Sequence, residues 1–157
     1  YIAGQKLAGV TTADGTLYDV FYHSENYGTD GSGQYAAPAD GTTSGWYLPT
    51  IGQWWDILEN LGDANGLIAL RNSSGTTVEL KNGVSQVAMD RMNELMSASG
   101  QTVTLFKVDV HYWSSSEKSS GVARRVLFDG SGRKYSLRIG DNNKDNPSTN
   151  VRCILAF

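Results

Sequence analysis

At Thr102 the spacing of apolar residues changes, and with it the kind of element the chain can form. Before that point two stretches repeat at helical spacing. Ile51, Trp54, Leu58 and Leu61, widened by Trp55 and Ile57, predict a helix over about 51–61. Thr50 is a good N-cap, Gln53 completes a capping box, Pro49 blocks extension backwards, and Gly62 is the expected C-cap glycine. Val84, Val87, Ala88, Met92, Leu95 and Met96 mark one face of a second helix over 84–98, with Asp90, Arg91 and Glu94 opposite and Gly100 as its stop. Methionine at this spacing is adaptable core packing rather than a cofactor lining.

After Thr102 the period is 2. Residues 102–106 read as a strand. Val122–Phe128 and Arg133–Ile139 flank Asp129-Gly130-Ser131-Gly132 and read as a hairpin. In the second arm Tyr135, Leu137 and Ile139 face one way, while Lys134, Ser136 and Arg138 face the other. Residues 140–150 read as a polar loop. Residues 151–157 read as a buried closing strand with Phe157 pinned in the sheet. Two helices followed by runs of strand predict an α+β fold.

The first part of the chain is less periodic. Residues 16–22 are aromatic and β-branched, so 1–22 reads as β-rich. Residues 23–45 are loop chemistry, and 63–82 is loop with short strand or helical pieces. The chain has 157 residues, 39% hydrophobic and 18% charged, which suits one folded domain over 1–157. Its apolar runs are too short to span a bilayer, and a net charge of −3 offers no basic field for nucleic acid or anionic lipid. One cysteine, Cys153, excludes an internal disulfide and any multi-cysteine metal site, and suits an uncrosslinked bacterial protein. A chain starting at Tyr1 reads as a trimmed or mature product.

Three segments carry a resemblance in their order. They are Gly45-Trp46-Tyr47-Leu48-Pro49-Thr50 with its helix, Tyr112-Trp113-Ser114-Ser115-Ser116, and Val151-Arg152-Cys153. Over residues 45–157 the chain resembles the bacterial C-type-lectin-fold group. Within it, the chain is similar to collagen-like-adhesin C-terminal domains and fibrobacter-type major paralogous domains. More distantly it resembles formylglycine-generating enzymes and the variable proteins of diversity-generating retroelements. The resemblance implies a C-type-lectin-like fold: a small twisted antiparallel sheet, two helices and long loops, with the last strand through the middle. It implies that Trp113, Trp46, Trp54, Val151 and Cys153 are structural, and that the serine run turns the chain outward. The binding face would then lie between Ser115 and Asn150.

The chemistry of single residues narrows this further. A catalytic serine needs a base, and the two histidines, His23 and His111, offer only His111 nearby in sequence. Its aromatic neighbours suit a partly buried strand histidine, and no Gly-x-Ser-x-Gly elbow occurs. The formylglycine-generating relatives use a cysteine pair, and Cys153 stands alone. These points argue for no enzyme. Asp141, Asn143 and Asp145 alternate like the start of a calcium loop, but Asn146 and Arg152 stand where glycine and glutamate belong, so calcium is a weak candidate and no other cofactor is expected. Arg124, Arg125, Arg133, Lys134 and Arg138 share the hairpin, with Arg124 and Arg138 expected to converge, either as an anion clamp or as edge protection. The collagen-like-adhesin relatives bind sulfated polysaccharides.

The expectation is a non-enzymatic, adhesin-like ligand-binding domain, extracellular or on a bacterial cell surface. It would meet a glycan or a protein of another cell or host surface through Tyr112, Glu117, Lys118, Arg125, Arg138, Asp141, Asn143 and Lys144. The alternatives are an assembly module of a surface appendage and a retroelement-diversified variable protein with Asn142, Asn143, Asn146 and Asn150 at diversified positions.

Overall fold

The computed structural model describes residues 45–64, 78–80, 83–100, 103–130 and 136–156. The expectations for residues 1–44, for the loop pieces at 65–77 and 81–82, for the turn and arm at 131–135 and for Phe157 fall outside these. Among the described residues the chain is α+β, with two helices and a five-stranded mixed sheet beside a two-stranded ribbon. The elements are β1 (Gly45–Tyr47), α1 (Ile51–Asn60), β2 (Val78–Leu80), α2 (Val84–Ala98), β3 (Val110–Ser119), β4 (Val122–Phe128), β5 (Leu137–Asn143), β6 (Thr149–Asn150) and β7 (Ile154–Ala156). The sheet order is β2-β5-β4-β3-β6, and β1 pairs with β7.

α1 starts where its cap dictates. The Thr50 hydroxyl accepts from the Gln53 amide at 3.1 Å, and the Gln53 side chain accepts from the Thr50 amide at 2.8 Å. Trp54, Trp55 and Leu58 form its buried stripe. Gly62 follows the helix, but it is not the left-handed residue; Asp63 is, at φ 52°. Gly62 is required for close approach instead: a Cβ there would stand 2.6 Å from the Leu58 carbonyl and 3.2 Å from Ala88 of α2. α2 spans the expected residues, and Gly100 at φ 71° stops it. Its stripe is turned from the expected one. Ser85, Ala88, Met89 and Met92 are buried, whereas Val87 is 54% and Leu95 40% exposed. The small Ser85 and Ala88 let the helix sit close, so size rather than hydropathy sets the contact.

The sheet's two faces follow from its register. Tyr112 pairs with Val126 and Val126 with Ile139, while Val110, Phe128 and Leu137 form the next row. These side chains pack with Trp54, Leu58, Met89, Met92 and Phe106 in the main core. The other face carries His111, Trp113, Ala123, Arg125, Leu127 and Arg138, where Trp113 clusters with Leu48 and Ala123.

Three expectations are corrected here. Residues 103–107 form no strand; the Asn93 side chain bonds both the amide (2.8 Å) and the carbonyl (3.0 Å) of Phe106, as a neighbouring strand would. The second hairpin arm runs to Asn143, because β4 extends its ladder to Val122↔Asn143, so 140–143 is strand rather than loop. The closing strand does not run through the middle of the sheet: β7 pairs with β1, and its forerunner β6 lies parallel to β3 at the edge. Val151 is accordingly 39% exposed.

Candidate functional site

The serine run does not turn outward. Between the pairs Trp113↔Arg125 and Glu117↔Ala123, three serines of β3 stand against Arg124 alone, a bulge that re-aims the strand. Ser114 and Ser115 are buried. The Ser114 hydroxyl donates to the Arg124 carbonyl at 2.9 Å, and the Ser115 amide donates to the Pro49 carbonyl at 2.9 Å. The Ser116 hydroxyl accepts from the Ile51 amide at 2.9 Å, satisfying one donor at the start of α1. Just before them, the Trp113 carbonyl accepts from Trp54 Nε1 at 3.1 Å. The Ser115 amide and the Ser116 hydroxyl thus hold the start of α1 on the sheet, while the Ser114 hydroxyl bonds within the sheet and the Ser115 hydroxyl is buried without a partner among the described residues.

Past the bulge, the ends of β3, β4 and β5 gather charge. Asp141 takes Lys118 Nζ at 2.5 Å on one carboxylate oxygen and Arg124 Nη1 at 3.2 Å on the other. Lys144 pairs with Glu117, and its ammonium also donates to the Ser120 carbonyl at 3.0 Å. Asn142 holds the loop that follows, accepting from the Asn143 amide (3.1 Å) and from Asn146 Nδ2 (3.2 Å) while donating to Thr149 at 3.1 Å. Glu117, Lys118, Asn143 and Asp145 are exposed, whereas Lys144 and Asp141 are half-buried.

A second group lies on the face away from the helices. Arg138 Nε reaches Glu79 at 3.1 Å, and its Nη2 reaches Asp129 at 3.0 Å. Arg125 stands opposite Gly140 and Trp113. Burial first, and then the neighbouring Arg138, lower the Arg125 pKa, with Asp141 opposing. His111, on the same face, is pushed below the usual histidine range by burial and then by Arg125, against the pull of Asp129.

Of the eight binding residues expected from sequence, Glu117, Lys118, Asp141, Asn143 and Lys144 come together at the strand ends, while Arg125 and Arg138 share the other group. Tyr112 is corrected. It is only 6% exposed, its ring packs edge-on to Phe106 and Phe128, and its hydroxyl accepts from the Lys107 amide at 3.1 Å. Burial raises its pKa. Alternation turns it to the core because Trp113 takes the other face. Arg124 and Arg138 do not converge, since their partners Asp141 and Leu127 place them on opposite faces. As a calcium ligand Asp141 fits poorly, because both its carboxylate oxygens already meet cations. Among the described residues no group of three or more His, Cys, Asp and Glu is placed to hold a metal. No bond joins His111 to the serines; its Nδ1 is buried without a hydrogen-bond partner. Sequence reasoning missed Glu79 and Asp129. Asp129 reads as a turn residue, and only the fold brings it against Arg138.

Compared with protein-family models, curated proteins and solved structures, the chain finds no match in any of the three. Among the described residues no helix is long and apolar enough to cross a membrane.

Proposed function

We propose that this chain is a single non-enzymatic ligand-binding domain of C-type-lectin-like fold, carried on a bacterial cell surface or outside the cell. Its contact surface is the charged cluster at the ends of β3, β4 and β5. The observation that carries this reading is the mounting of Glu117, Lys118, Asp141 and Lys144 on or beside a paired ladder whose root is fixed to α1. Rigid elements hold polar groups more precisely than loops do. The alternating cations and carboxylates offer donors and acceptors side by side, which suits the hydroxyls of a glycan or the backbone of a protein. With both Asp141 oxygens engaged, recognition here needs no calcium.

The test is a glycan array carrying neutral, acidic and sulfated saccharides, run with calcium and with chelator. Binding insensitive to chelator, and lost in Glu117→Ala/Lys118→Ala with circular dichroism unchanged, is the expected result. Silence across all three classes would replace this reading with that of an assembly module.

A further inference from the structure

The arginines described here differ in one respect. Arg91 pairs with Glu94, Arg124 with Asp141, and Arg138 with Glu79 and Asp129. Arg152 lies over the Phe106 ring, 4.5 Å from its centroid, and donates to the Thr104 carbonyl. Arg125 is half-buried, yet among the described residues no carboxylate lies within ion-pair distance of its guanidinium. Its bond is from Nε to the Asp141 backbone carbonyl at 3.3 Å. That leaves the two Nη groups, a fork suited to an oxyanion.

The register shows what surrounds it. Arg125 faces Gly140, which has no side chain to fill the space beside it. Leu127, two residues on, faces Arg138 on one side and His111 on the other. A second guanidinium and an imidazole therefore flank Arg125 diagonally on one face. A half-buried guanidinium whose two Nη groups have no partner among the described residues is costly until an acceptor reaches them.

We propose that Arg125 anchors an oxyanion-binding site on the face of the sheet away from the helices, with Arg138 at its side. The charge count selects the ligand class. Glu79 and Asp129 pair with Arg138, so these three sum to −1 and Arg125 brings the group to zero. A group with no net positive charge to spare tolerates a monoanion, either a carboxylate or a sulfate monoester, better than a phosphate dianion. Arg124 and Asp141 lie on the opposite face, so this site stands or falls separately from the contact surface proposed above.

The experiment is a titration of the whole chain, followed by the arginine Nε–Hε signals in ¹⁵N NMR at fixed ionic strength. Sodium acetate, sodium methyl sulfate and sodium phosphate are the probes, balanced with sodium chloride. The Arg125 signal, assigned by its loss in Arg125→Gln, is expected to shift and saturate with acetate or with methyl sulfate. The one that saturates at lower concentration identifies the source. Arg124→Gln is expected to leave that curve unchanged. Linear, unsaturating shifts with all three salts would overturn the site, and tighter saturation by phosphate would overturn the monoanion assignment.

Discussion

The Ser116 hydroxyl accepts a hydrogen bond from the Ile51 amide at 2.9 Å, joining residues 65 positions apart. One partner is the first residue of α1 and the other lies in the bulge of β3. The helix start is thus capped twice, locally by Thr50 and from across the chain by Ser116.

Removing either cap has a calculable cost. Ser116→Ala leaves the Ile51 amide without its partner, and Thr50→Ala does the same for Gln53. Each is expected to cost about 1 kcal/mol in urea unfolding. Because both act on the same first turn, the double variant is expected to depart from the sum by at least about 0.5 kcal/mol. Additive losses would mean that the two caps act independently.

Gly62 gives a sharper contrast. Gly62→Ala drives a methyl to 2.6 Å from the Leu58 carbonyl, so the turn that ends α1 must shift, and presses it to 3.2 Å from Ala88 of α2. The expected loss is about 1–3 kcal/mol. Gly121→Ala, where a Cβ meets nothing within 4 Å, is expected to stay within about 0.5 kcal/mol of the parent. Equal effects in thermal unfolding would contradict the packing role.

The elements were more legible than their assembly. The capping box at Thr50 and the 84–98 periodicity are local signals, and both helices lie where those signals put them. Strand ends were not local. Gly140, Asp141, Asn142 and Asn143 have loop composition and are strand only because β4 pairs them. Phe106 looked like strand because β-branched and aromatic residues surround it, but its ladder partner is the side chain of Asn93. The candidate site followed the same division. Five of its residues could be named because they are polar and lie in two short segments, 117–118 and 141–144, that flank strand patterns. Tyr112 was misplaced because an aromatic strand residue gives no sign of its face until the register is known. Glu79 became a partner of Arg138 only through the pairing of β2 with β5.

His111 makes stability depend on pH. Its folded pKa lies below the unfolded value of about 6.5, so the neutral form is favoured in the fold. The sign follows from linkage: the contribution is fully present above the unfolded value and is lost as pH falls through the lower folded value. Between neutral pH and pH 5 the melting temperature is expected to fall more steeply for the parent chain than for His111→Gln. Parallel curves would show that His111 titrates alike in both states.

The most direct test of the interlock is amide hydrogen exchange at Ile51 and Ser115, since their donors bond across the chain to Ser116 and Pro49. If the serine bulge holds α1 on the sheet, both amides exchange only with opening free energies near that of global unfolding, and Ser116→Ala lowers the protection of Ile51 selectively. Exchange of both at the rate of an open loop, unchanged by Ser116→Ala, would contradict it.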